Sequence, residues 1–115
     1  IDVDGTLIRH PEYFKFIMES AKAAGHKVGI LTGRGQDTEV GFRNRMREMG
    51  FPDPDFFMGR YGAYLDQNGA VFKTDMIEQF GIDVHYDDMD FDNPDTIRLF
   101  EEGGQMHKVF RVKGA

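Results

Sequence analysis

The first seven residues, I-D-V-D-G-T-L, constrain the fold more than any other stretch of the chain. Ile1 and Val3 alternate with Asp2 and Asp4. This reads as the end of a β-strand, because side chains two apart in a strand share a face. The spacing predicts that both carboxylates emerge together where the strand stops. Gly5 and Thr6 then break the run, since glycine takes backbone angles that other residues avoid. Two acids held that close repel unless a proton or a cation sits between them. A hard divalent ion such as Mg²⁺, which prefers oxygen ligands, answers that need. Only one residue precedes Asp2, whereas buried strands run about five, so the strand is expected to begin N-terminal to Ile1.

The rest of the chain predicts alternating helices and strands. Pro11 suits a helix start. Tyr13, Phe14, Ile17, Met18 and Ala21 recur at helical spacing as far as Gly25. Residues 27–31 form an apolar run expected as a buried strand, followed by a turn at Thr32-Gly33-Arg34-Gly35. Asp37 or Thr38 can cap a helix carrying Val40, Phe42, Met46 and Met49. Residues 56–58 read as a third strand. Asn68-Gly69, between Tyr64-Leu65 and Val71-Phe72, predicts a hairpin, and Thr74 a cap for a short helix over residues 75–80. A strand over 82–86, a helix from Asn93 or Pro94 to Glu102 and a strand over 108–112 complete the pattern. This order predicts an α/β fold of three-layer, Rossmann-like type. Its parallel sheet would have about five strands with helices on both faces and ligands at the carboxyl ends of the strands.

Composition bounds the reading. The 115 residues suit one domain, residues 1–115, with no room for a large cap. Hydrophobic residues at 40% and charged residues at 30% predict a soluble globular chain. The net charge of −6 disfavours non-specific nucleic-acid binding. No apolar run reaches the roughly 20 residues that span a membrane. Cysteine is absent, which excludes disulfides and thiolate metal sites and fits a reducing, cytoplasmic setting.

Asp2, Asp4, Thr32, Lys73 and the pair Asp87-Asp88 all fall at expected strand ends or helix starts. A parallel sheet would gather them at one edge. Phosphate monoester cleavage needs a nucleophile, positive charge for the phosphoryl oxygens and a proton for the leaving group. Asp2 is placed to attack, giving an acyl-phosphate. Asp4 is placed to protonate the leaving oxygen and then activate water. Asp87 and Asp88 would complete an Mg²⁺ site. Thr32, with Gly33, Arg34 and Lys73, would hold the phosphoryl group.

These residues, D-V-D-G-T, then I-L-T-G-R, then Lys73, then H-Y-D-D-M-D-F-D, resemble the ordered motifs of the haloacid dehalogenase superfamily. Most members of that superfamily are Mg²⁺-dependent phosphatases. The resemblance implies Asp2 as nucleophile and metal ligand, and Asp4 as acid/base with its carbonyl on the metal. Thr32 and Lys73 match the phosphate-binding positions. Asp88 matches the direct metal ligand, Asp87 the residue that orients metal-bound water, and Asp92 a supporting acid. The caps that enclose small substrates in many members are missing. An open cleft implies a nucleotide, a nucleic-acid end or a phosphoprotein as substrate, or closure by a second copy of the chain. A non-catalytic phosphate-binding module is the competing expectation. His10, His26, His85 and His107 show no ligand spacing and are given no role.

Overall fold

The structure is a computed structural model that describes residues 1–89 and 94–113. Among the described residues four α-helices alternate with four short strands: α1 (Pro11–Ala23), β1 (Ile30–Gly35), α2 (Glu39–Glu48), β2 (Phe57–Arg60), α3 (Gly69–Gln79), β3 (His85–Asp87), α4 (Pro94–Glu102) and β4 (Val109–Arg111). β1 pairs with β2 in parallel, Ile30 opposite Phe57 and Leu31 opposite Met58, with an irregularity before Gly35 meets Arg60. β3 pairs with β4 in parallel, from His85 opposite Val109 to Asp87 opposite Arg111.

The strands form two separate two-stranded parallel sheets. This overturns the expected Rossmann-like sheet of about five strands. The reason lies in the opening segment. Ile1 and Asp2 alone precede a wide turn over Val3–Leu7, within which Asp4 is extended and Gly5 is left-handed at φ 73°. Two residues are too few to make a ladder. They do hydrogen-bond on both sides: Leu31 N–H donates to the Ile1 carbonyl at 3.0 Å, and Asp2 N–H to the Tyr86 carbonyl at 2.9 Å.

Both faces of β1 are covered. Ile30 joins a buried cluster with Val3, Leu7, Phe14, Met18, Phe42 and Met46, contributed largely by α1 and α2. Leu31, its neighbour, points the other way and packs with Phe72, Met76, Ile77, Met89 and Phe100, mostly from α3 and α4. The period-two alternation of a strand thus divides the apolar side chains between two cores.

The predicted hairpin at Asn68-Gly69 is not formed. Asn68 caps α3 instead, its side chain accepting from Ala70 N–H at 2.9 Å. Val71 and Phe72 favour strands by type, but Phe72 and Met76 lie four apart on a helix whose exposed surface is small. Burial outweighs their local preference. The helix therefore starts six residues before the expected 75–80 segment, and Thr74 lies inside it, buried. β1 also runs later than the expected strand, so Thr32, Gly33 and Arg34 lie within a strand rather than a turn. Asp92 and Asn93, assigned as a supporting acid and a helix start, lie outside the described residues.

Candidate active site

The turn over Val3–Leu7, the C-terminal end of β3 and one face of α3 bring the acids and Lys73 together. Asp2 is buried at 4% exposure and Asp87 at 1%. Lys73, in the second turn of α3, donates to Asp2 Oδ1 at 2.8 Å and to Asp87 Oδ2 at 2.7 Å. Carboxylate oxygens of Asp2, Asp87 and Asp88 lie within 4.8 Å of one another. These residues line a cleft of about 340 Å³, together with Asp4, Gly33 and the first residues of α3.

Two polar residues without an assigned role in the sequence hold this centre. Thr6 is fully buried. Its hydroxyl donates to Asp2 Oδ2 at 3.1 Å and accepts from Asp88 N–H at 3.0 Å. His85 is also buried, and its Nε2 lies 2.8 Å from Asp87 Oδ2. Burial pushes the imidazole down to about 4. The ring is therefore neutral at pH 7 and donates Nε2–H to the carboxylate. His85 was findable: it sits two residues before Asp87 in a strand, so the two share a face. Thr6 shows no such signal, because its role depends on how the turn folds back over Asp88.

The charges order themselves around Lys73. Burial favours the neutral forms of all these groups. For Asp2 burial prevails over the opposing Lys73 charge, and with Asp87 nearby it pushes the carboxyl up to about 7. For Asp87 burial is outweighed by the Lys73 charge and the His85 hydrogen bond, which together hold it below the usual carboxylate range. Met89 N–H adds a further bond to Asp87 Oδ1 at 2.8 Å. Lys73 itself is raised: burial opposes its charge, but Asp2 and Asp87 more than compensate. Asp88 is raised by burial and by the Asp87 charge. One ammonium thus faces three acids, two of which are raised by burial and by their like-charged neighbours.

Gly5 is required by the same geometry. A Cβ built there would stand 2.3 Å from Asp88 Oδ2, and the residue is left-handed at φ 73°. Met89, directly after Asp88, is also left-handed at φ 60° although it is not glycine. Its side chain is fully buried, which anchors that backbone.

Asp4 does not join the buried acids. Its side chain is 59% exposed and takes a two-pronged ion pair from Arg34, Nε to Oδ2 at 2.9 Å and Nη2 to Oδ1 at 2.7 Å. The Arg34 hydrogen bonds hold Asp4 below the usual carboxylate range. The Arg34 guanidinium also lies 5.8 Å from the centre of the Phe42 ring. Thr32 is fully buried, and its hydroxyl accepts from Arg34 N–H at 3.1 Å. Gly33 faces the cleft where Thr32 was expected, with no atom within 4 Å of a built Cβ.

The donor set suits a hard cation. Asp2, Asp87 and Asp88 can each offer one carboxylate oxygen, all within 4.8 Å of one another, and Mg²⁺ takes oxygen ligands. Asp88 stands half-buried at the cleft beside Asp2 and Asp87, while Asp87 is engaged by Lys73, His85 and Met89.

Compared with protein families, with curated proteins and with solved structures, the chain gives no match. Among the described residues, no helix is long and apolar enough to cross a membrane.

Proposed function

We propose that this protein hydrolyses phosphate monoesters with Mg²⁺, by phosphoryl transfer to Asp2. The observation that carries this reading is Lys73 bridging Asp2 and Asp87 beside Asp88 in an open cleft. A carboxylate nucleophile in a phosphatase needs such a cation at its side, to neutralise both itself and the incoming phosphoryl group. The motif resemblance to haloacid dehalogenase-type phosphatases supports the same assignment.

In this mechanism an Asp2 oxygen attacks phosphorus, and the bond to the ester oxygen breaks in line with it. Asp4, released from Arg34 and protonated from solvent as the ester binds, delivers that proton to the departing oxygen. Asp4 then accepts a proton from water, which cleaves the acyl-phosphate, releases phosphate and restores Asp2. Lys73 stabilises charge on Asp2 and on the phosphoryl group. Arg34 leaves Asp4 when the ester enters and binds a phosphoryl oxygen. Asp2 and Asp88, with the Asp4 carbonyl, would hold Mg²⁺, and Asp87 would orient its water. When bound, Mg²⁺ supplies further positive charge to the phosphoryl oxygens. A cytoplasmic setting accompanies this reading, since the chain has no cysteine that would need oxidation.

The two-pronged Arg34–Asp4 pair favours a second reading, a phosphate-binding module without turnover, because it occupies the acid that catalysis requires. Turnover of p-nitrophenyl phosphate with Mg²⁺ separates the two. The phosphatase reading expects turnover that Asp2→Asn abolishes without unfolding the protein. Turnover retained in Asp2→Asn removes Asp2 as nucleophile.

A further inference from the structure

A second recess, of about 310 Å³, opens beside the acidic cleft and includes Tyr61, Tyr64, Gln67 and Asp75 among its walls. A single run of backbone separates the two. Gln67 lines the recess, while Asn68 and Gly69, the next residues, line the cleft. Two Cα steps span roughly 7 Å. Arg60 fixes this partition: it donates to the Gln67 carbonyl at 2.7 Å and also to the Gly33 carbonyl on the cleft side.

The recess offers an aromatic surface and acceptors. Tyr61 is 52% exposed although it is bulky and apolar. Its contacts with Tyr64 (5.7 Å, 76°) and with buried Phe72 (6.0 Å, 87°) are both edge-type rather than stacked. These contacts fix the ring and leave half of the side chain uncovered. Asp75 accepts from the Tyr64 hydroxyl at 2.9 Å, which orients its carboxylate in the recess. A carboxylate beside an exposed ring is chemically suited to a planar base that carries amino or ring N–H donors.

We infer that the cleft and this recess form one composite site for a nucleoside monophosphate, with its phosphate at Lys73 and its base against Tyr61 and Asp75. The inference rests on the phosphate-binding role of the cleft, but not on turnover. The net charge of −6 opposes a long polyanion, so the ligand is one nucleotide, free or at the end of a short strand. Guanine and cytosine present donors to Asp75; uracil offers fewer.

Binding in Mg²⁺ buffer by calorimetry tests this with guanosine 5′-monophosphate, ribose 5-phosphate and inorganic phosphate. The nucleotide should bind more tightly than the base-free sugar phosphate. Tyr61→Ala should weaken it about 5- to 150-fold, the range for loss of one base–aromatic stack. The same variant should leave inorganic phosphate binding unchanged, and Tyr61→Phe should bind the nucleotide as well as the native protein. A hexanucleotide with a terminal phosphate identifies the source: tighter binding than the free nucleotide indicates a strand end, weaker binding a free nucleotide. Equal affinity for guanosine 5′-monophosphate and ribose 5-phosphate overturns the inference, as does native-like nucleotide binding in Tyr61→Ala. Base-dependent binding without turnover of any phosphate ester sustains it while refuting the phosphatase reading; turnover indifferent to the base does the reverse.

Discussion

Replacing Lys73 by Met tests the electrostatic centre without reference to activity. Methionine keeps the apolar stem within α3 but removes the ammonium between Asp2 and Asp87. Both hydrogen bonds of that ammonium are charge-assisted, 2.8 and 2.7 Å long, on a lysine side chain only 11% exposed. Removing one partner from a buried ion pair costs about 3–5 kcal/mol. Asp2 is already raised to about 7 and takes up a proton readily, which places the loss at about 3–4 kcal/mol. For a domain of this size that lowers the melting temperature by about 15 °C. The pH dependence follows from the shifts. The folded pKa of Lys73 is raised, so its stabilisation is fully present below 10.5 and is lost as pH rises through the higher folded value. The folded pKa of Asp87 is depressed, so its stabilisation is present above 3.8 and is lost as pH falls through the lowered value. Without Lys73 the Asp87 value moves back up, and the deficit of the variant shrinks on acidification below about pH 4. Urea denaturation at pH 7.5 and pH 3, with EDTA, measures both. A loss under about 1 kcal/mol at pH 7.5, or a deficit that grows on acidification, refutes the assigned charges.

Three further outcomes are expected. Asp2→Asn removes an acid whose folded value is raised, and whose stabilisation is therefore lost as pH rises from 3.8 towards about 7; stability measured in EDTA across that window should fall less steeply in the variant than in the native protein. Mg²⁺ should raise the melting temperature of the native protein, and Asp88→Asn should diminish that rise, as scanning fluorimetry reports. Gly5→Ala should destabilise by about 1–3 kcal/mol in chemical denaturation and weaken Mg²⁺ binding, because its Cβ meets the Asp88 carboxylate.

The alternation of helices and strands was legible because apolar periodicity and Gly or Pro punctuation are local signals. Helix α1 follows Pro11, and β2 falls close to the expected Phe56–Met58 stretch. Of the residues expected to meet at one edge of a parallel sheet, Asp2, Lys73, Asp87 and Asp88 do come together, Asp4 and Thr32 do not join them, and the single sheet on which that expectation rested is not formed. What failed was decided by distant contacts. Asn68-Gly69 carries a turn signal that serves equally as a helix cap, and only the burial of Phe72 against other elements selects the cap. The extent of the sheet depends on how many residues pair, which periodicity does not reveal. Asp4 looked equivalent to Asp2 by spacing. The left-handed Gly5 turn and the reach of Arg34 separate them, leaving one buried and the other at the surface.

Ile1 and Asp2 stitch together two small sheets that otherwise have separate ladders. The residue proposed to receive the phosphoryl group is therefore also part of that suture. Any fluctuation that parts the Tyr86 and Leu31 links dislodges the Asp2 carboxylate from Lys73 in the same event. Loss of ligand binding should consequently precede global melting as denaturant is added, with the vulnerable joint and the chemistry reporting on each other.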